Sequence, residues 1–144
     1  MKVINEMKMV LDSRSINEGF SRVAVSSFAA CLDPTVEEIT DIKTAVSEAV
    51  TNCIVHGYRE SMGKIYITVS ITDNHSVRIK IRDRGVGIAD IKQAMQPLFT
   101  TAGDERAGLG FAVMESFMDK VRVTSKPNKG TCVTLTKHIG GKSA

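Results

Sequence analysis

The feature that most narrows what this chain can fold into is a pair of alternating runs near its middle. Ile65, Ile67, Val69 and Ile71 alternate with Tyr66, Thr68 and Ser70; after Thr72 to Ser76, the residues Val77, Ile79 and Ile81 alternate with Arg78, Lys80 and Arg82. Successive side chains on a strand point to opposite faces, so each run has one apolar and one polar face. The short polar turn between them makes an antiparallel hairpin. Such a sheet buries one side only, and an amphipathic layer must cover it. Two stretches offer that cover. Ser15-Ile16-Asn17-Glu18 fits a capping box at a helix start. Ile16, Phe20, Val23, Ala24 and Phe28 mark the expected buried stripe of this helix, leaving Glu18, Arg22 and Ser26 outside. Asp33 as N-cap, Pro34 at the first helical position, and Glu37 and Glu38 in the first turn open a second helix that stops at Gly57.

The remaining elements extend the same plan. Met7, Met9 and Leu11 give a first strand of imperfect alternation, and Leu109 to Lys120 forms a helix carrying Val113, Phe117 and Met118. Val121 to Ser125 and Thr131 to His138 are closing strands about the turn Pro127-Asn128-Lys129-Gly130. From Ile88 to Arg106 the pattern loosens, with Pro97, Gly103 and Asp104 interrupting it, which reads as a short helix and then a loop. A loop this long inside a compact domain is usually functional. The expected architecture is one domain over residues 1–144, a two-layer α/β sandwich whose mixed, mostly antiparallel sheet carries helices on one face.

Composition excludes several classes of function. A chain of 144 residues with 42% hydrophobic and 24% charged residues has the make-up of a globular domain. Nineteen basic and sixteen acidic residues are dispersed along the sequence, and only 5% of residues are aromatic, so no nucleic-acid groove is expected. Cys31, Cys53 and Cys132 are odd in number and lie in apolar surroundings, as expected of buried thiols in a reducing compartment. No apolar run reaches the length of a membrane span, and residues 1–11 alternate instead of forming a signal-peptide core. The expected location is cytoplasmic, without a membrane partner.

One polar stripe calls for a chemical reason. On a helix, steps of four residues advance about 400°, so Glu48, Asn52 and His56 share a face that drifts by roughly 40° per step. Between them stand Ala49, Val50, Cys53 and Ile54, which belong to a core. A partly dry carboxylate beside an amide suits a metal and a proton transfer. Five of the eleven glycines fall between Gly85 and Gly110, four of them in Asp83-Arg84-Gly85-Val86-Gly87 and Gly108-Leu109-Gly110, and the second group lies where a helix begins. Glycines allow close backbone approach, and the free amides of a helix start attract phosphate. There is no Gly-Lys-Ser/Thr phosphate loop, His-Glu-x-x-His, nucleophile elbow or complete Gly-x-Gly-x-x-Gly. Taken singly, the Asp83 segment also suits a tight turn, Arg106 a solvated loop charge, His56 a cap on its helix end, and Thr100 and Thr101 ordinary loop hydroxyls.

Together, Glu48-x-x-x-Asn52, Asp83-x-Gly85-x-Gly87 and Gly108-x-Gly110 resemble the N-box and two glycine boxes of the gyrase, Hsp90, histidine-kinase and MutL ATP-binding superfamily, with its Bergerat-type fold. Within it, Ser47 to Tyr58, Pro97 to Thr101, Glu105 to Phe111, Asn17 to Phe28 and Leu32-Asp33-Pro34 are similar to the anti-sigma F factor family of spore-forming bacteria. Ala107 and Leu109 stand where Ser and Met are familiar there, and the lid is one residue shorter.

The resemblance implies a Mg²⁺- and ATP/ADP-binding serine kinase that sequesters a sporulation sigma factor and phosphorylates a serine of its anti-anti-sigma protein. It implies Asp83 on the adenine amino group, Gly85 and Gly87 at the purine, and Asn52 on Mg²⁺. Glu48 is implied as the base that deprotonates the attacking hydroxyl. Residues 88–107 are implied as a lid, with Thr100, Thr101, Gly108, Leu109 and Gly110 near the phosphates and Arg106 neutralising the transferred group. It further implies partner contacts at Glu18 and Arg22 and a homodimer joined at the first strand and helix. Two alternatives stay open: a sibling kinase acting on a general-stress sigma factor, and a nucleotide-gated binding module with little catalysis. At 144 residues there is no room for a clamp domain or a phosphoacceptor helix pair, so phosphate would pass to another molecule or to water.

Overall fold

The computed structural model describes residues 2–59, 61–88 and 106–140, with the backbone alone at 106–109. The central hairpin anchors its sheet. Strands β1 (Val3–Asp12), β2 (Lys64–Thr72), β3 (Ser76–Arg82), β4 (Lys120–Lys126) and β5 (Gly130–His138) lie in the order β1-β2-β3-β5-β4. Every pairing among the described residues is antiparallel, so the mixed sheet expected from the sequence has no parallel pair there. β3 and β4 do run the same way, but β5 folds back between them and separates them.

Helices α1 (Ile16–Ala29), α2 (Val36–Asn52) and α3 (Arg106–Phe117) cover one face of the sheet, with α2 packed between α1 and α3. The core joins Ile42, Ala45, Val46, Ala49 and Val50 of α2 to the inward rows Ile65, Ile67, Val69, Ile71 and Val77, Ile79, Ile81. Each fully buried Ile or Val contributes roughly 1.5–3 kcal/mol. The α/β two-layer arrangement is therefore as the alternation required.

Several local expectations are corrected. In α1 the buried residues are Ser21, Val25, Ser26 and Ala29, while Ile16, Phe20 and Val23 are exposed. Small side chains let α1 lie close to its neighbours, and the hydroxyls of Ser21 and Ser26 donate to the Asn17 and Val23 carbonyls, at 2.6 and 3.1 Å, which makes them inexpensive to bury. Ser15 makes no side-chain cap hydrogen bond: its backbone is already helical at φ −58° and ψ −31°, and the Glu18 amide donates to the Ser15 carbonyl at 3.2 Å, while the Glu18 carboxylate accepts from the Ser47 hydroxyl on α2 and lies 3.7 Å from Arg22. The capping box belongs to α2. There Thr35 Oγ1 accepts from the Glu38 amide at 3.1 Å and Glu38 Oε1 accepts from the Thr35 amide at 2.9 Å. Asp33 instead closes a 3₁₀ turn in the left-handed region at φ 52°, and Pro34 precedes the helix. Cys31 is exposed, unlike the buried thiol expected. α3 begins three residues earlier than its apolar pattern suggested and ends at Phe117.

The open face of the sheet overturns the expectation of dispersed charge. The alternation that turns Ile and Val inward brings Lys8, Lys64, Arg78, Lys80, Arg82, Lys120, Arg122 and Lys126 to the opposite face, with Glu6 and Asp12 as its only strand acids among the described residues. Charges far apart in sequence become neighbours through strand pairing.

Candidate functional site

Two corners of the molecule are joined by consecutive residues of one helix. At the first, Glu48 and Asn52 stand one turn apart on α2, and the opening of α3 lies against them. A Cβ built on Gly110 would be 3.2 Å from Glu48 Oε2 and 3.4 and 3.5 Å from Asn52 Oδ1 and Nδ2. The Asn52 Nδ2 is buried and has no hydrogen-bond partner among the described residues. Leaving such a donor unmet costs about 1–3 kcal/mol, so it marks a place where a ligand group belongs.

The second corner is Asp83, delivered by the end of β3 and 4% exposed. Its Oδ1 accepts from the Gly85 amide at 2.9 Å and the Thr131 amide at 3.3 Å, and the Cys53 thiol donates to the same carboxylate. Burial pushes the Asp83 carboxyl above its ordinary value, and these hydrogen bonds act against that rise. Burial and the Asp83 charge push the Cys53 thiol well up, so it remains a protonated donor.

The link between the corners is a π turn, Cys53–Gly57, in which the Tyr58 amide donates to the Cys53 carbonyl at 2.9 Å. An extra residue per turn is a common device at functional sites. Here it brings Gly57 against Asp83, where a Cβ would stand 2.7 Å from Oδ2. Gly57 therefore serves close approach instead of the left-handed cap expected of a helix end, since among the described residues Gly87 and Gly130 are the glycines of positive φ. The π turn also interrupts the stripe of four-residue steps, so His56 does not continue the line from Glu48 through Asn52.

The glycines of the Asp83 segment answer to tight packing. A Cβ on Gly85 would stand 2.0 Å from the Gly57 carbonyl oxygen, while Gly87 combines φ 75° with a Cβ position 2.0 Å from the Lys126 carbonyl oxygen. The Val86 amide donates to the Gly57 carbonyl at 2.9 Å, which ties this segment to the π turn. Tyr58 closes the corner from below: its hydroxyl donates to the Lys64 carbonyl and accepts from the Arg84 amide at 2.8 Å.

The structure thus brings Glu48, Asn52 and Gly110 together, and Asp83, Gly85 and Gly87 together. Gly108, Leu109 and Arg106 are described only as backbone in the opening turns of α3. Thr100, Thr101 and the expected lid beyond Ile88, up to Arg106, lie outside the described residues. Glu18 and Arg22 sit apart on α1, connected to α2 by Ser47. Three residues were missed by motif reasoning: Cys53, Tyr58 and Thr131. Cys53 looks like plain core and Thr131 like plain strand, and only pairing of β5 beside β3 sets Thr131 at Asp83.

Chemically, a carboxylate and an amide face the start of a helix, whose free amides and dipole favour phosphate. No group of three or more His, Cys, Asp or Glu that could cage a metal occurs among the described residues. Mg²⁺ keeps waters and phosphate oxygens as ligands, so the one amide oxygen that Asn52 carries is protein enough for that ion.

The chain is similar to known proteins over nearly all of its length. The profile of the histidine kinase-like ATPase domain matches residues 15–137. The anti-sigma F factor of Thermoanaerobacter sp. (strain X514) is 56% identical over 141 residues, covering 97% of this chain and 98% of that protein. The anti-sigma F factor of Bacillus subtilis (strain 168) is 54% identical over 142 residues, covering 97% of each. Among solved structures, the RsbU and RsbW domains of a Mycobacterium tuberculosis protein superpose with a TM-score of 0.69 at 23% identity, covering 94% of this chain and 32% of that one. A blue-light activated histidine kinase of Erythrobacter litoralis gives 0.58 at 19% identity, over 84% of this chain and 41% of that one. At these identities the two structures establish the fold alone. No helix among the described residues is long and apolar enough to cross a membrane. With a domain profile spanning most of its length and curated relatives more than half identical from end to end, the chain belongs to the anti-sigma F factor family, built on the histidine kinase-like ATPase domain.

Proposed function

We propose that this protein is a Mg-ATP-dependent serine kinase that sequesters a sporulation sigma factor and releases it when its anti-anti-sigma partner, the phosphoacceptor, gains the upper hand. The observation that carries the reading is the buried, unpartnered Asn52 Nδ2 set beside Glu48 under the glycine start of α3. Asp83 accepts from the adenine amino group, and Gly85 and Gly87 let the purine reach the backbone. Mg²⁺, held by Asn52, would neutralise phosphate charge when bound. Glu48 orients the acceptor serine and takes its proton at the carboxylate. Thr100, Thr101 and the amides of Gly108, Leu109 and Gly110 hold phosphate oxygens, and Arg106 offsets charge on the group in transit.

Arg22 and Glu18 form the charged contacts to the protein partners. The exposed apolar side chains Val10, Ile16, Phe20 and Val23 support a homodimer seam along β1 and α1. The names of relatives above 50% identity favour a sporulation sigma factor over a general-stress one. The deciding experiment is phosphate transfer from Mg-ATP to the anti-anti-sigma protein. Glu48→Ala should abolish transfer while retaining ATP binding; transfer equal to wild type would remove Glu48 as the base, and no transfer by wild type would leave a nucleotide-gated binding module.

A further inference from the structure

The layer opposite the nucleotide site carries a built feature that this function does not use. A trough of about 470 Å³ runs over the open face of the sheet, walled by Arg78, Lys80, Lys120 and Arg122 and floored by Thr134 and Thr136. Strand register explains its regularity. One row across the sheet reads Lys8, Thr68, Lys80, Thr134, Arg122, and the next reads Glu6, Ser70, Arg78, Thr136, Lys120. Each row ends in a cation, then a threonine, then a second cation. Adjacent strands are about 4.8 Å apart, so the cation columns of β3 and β4 stand about 9.5 Å apart across β5, with about 6.8 Å between successive cations along a strand.

The charge is concentrated and unanswered. Among the described residues the ion pairs of this face are Lys8 with Glu6 at 3.9 Å and Lys64 with Asp12 at 2.5 Å, both toward β1; Arg78, Lys80, Lys120 and Arg122 have no acidic partner there. The face holds eight cations and two acids in a chain with nineteen and sixteen, so the rest of the sequence, with eleven and fourteen, is net acidic. A protein whose overall charge is only +3 thus sets eight of its nineteen basic residues on one surface.

We propose that this trough is a docking surface for an acidic segment of a partner polypeptide, separate from α1 and from the nucleotide site. An extended acidic chain presents same-face carboxylates about every 6.8 Å, matching the cation repeat of β3, and its width fits between the two columns. The Thr134 and Thr136 hydroxyls can donate to carboxylates or accept from its backbone amides. Nucleic acid fits less well. The aromatic residue of this face, Tyr66, has Arg82 and Arg84 over its ring at 5.0 and 4.8 Å, so it offers no platform for a base.

The test is an amide chemical-shift titration of the full chain with a short poly-glutamate peptide, beside anisotropy titrations of that peptide and of single-stranded and duplex DNA of equal charge. Perturbed amides confined to β3, β4 and β5, together with about tenfold weaker peptide binding by the Lys80→Gln, Arg122→Gln double variant, are the expected result. ATP affinity equal to wild type shows that the variant is folded, since neither residue lies near Glu48, Asn52 or Asp83. Perturbations centred on α1, peptide affinity unchanged in the double variant, or DNA bound more tightly than the peptide would each overturn the proposal.

Discussion

Asp83→Asn separates what the carboxylate does for the fold from what it does for a nucleotide. The substitution preserves shape, and the Asn oxygen can still accept from the Gly85 and Thr131 amides at their present 2.9 and 3.3 Å. Those two bonds weaken from charge-assisted to neutral, while the cost of holding a charge at 4% exposure disappears. The two effects oppose each other, so stability at neutral pH should change by less than about 2 kcal/mol. Nucleotide binding should suffer more. An NH₂ group replaces the second oxygen and meets the purine amino group donor to donor, removing a charged hydrogen bond of about 2–3 kcal/mol, which is roughly 30- to 150-fold in affinity.

The pH dependence has a definite sign. Burial raises the Asp83 carboxyl above the ordinary 3.8, so the folded state keeps its proton where the unfolded chain has lost it. The stabilisation from this group is complete below the ordinary carboxylate value and declines as pH rises through the folded value. The variant lacks that decline. Urea unfolding of both proteins from about pH 4 to about pH 7, with calorimetric titration of ATP at neutral pH, measures the two effects. Unchanged ATP affinity in a folded variant, or a wild-type advantage that grows with pH across this window, would refute the reasoning.

Three further outcomes are expected. Gly110→Ala places a methyl 3.2 Å from Glu48 Oε2, where flexible side chains can yield, so helix propensity should offset the crowding and leave the melting temperature within a few degrees; phosphate transfer should fall at least tenfold because Glu48 and Asn52 are displaced. Phe20→Asp, at a side chain 55% exposed, should keep a cooperative urea transition, its midpoint lowered only by the loss of association, and shift sedimentation from dimer toward monomer; an unaltered dimer would move the seam elsewhere. A thiol reagent should modify exposed Cys31 first and buried Cys53 only on unfolding, and rapid labelling of Cys53 in the native protein would contradict its enclosure.

Much of this protein is legible in its sequence because period and spacing are local properties. The alternation of Ile65 to Ile71 and Val77 to Ile81 required a sheet with one wet face, and the four-residue step from Glu48 to Asn52 required a shared helical face; both hold in the structure. The order and spacing of Glu48-x-x-x-Asn52, Asp83-x-Gly85-x-Gly87 and Gly108-x-Gly110 likewise resemble the family's motifs in the sequence itself. The burial of α1 was not legible, because hydrophobicity alone ranks Phe20 and Val23 above Ser21 and Ser26, whereas close packing favoured the small residues and let their hydroxyls bond to the helix backbone. Tertiary structure alone decided three matters. The π turn after Asn52 set Gly57 and Cys53 against Asp83, the insertion of β5 brought Thr131 there, and strand register gathered dispersed lysines and arginines into one basic face. Each depends on which segments lie side by side, and that is a property of long-range pairing, to which no local pattern of residues is sensitive.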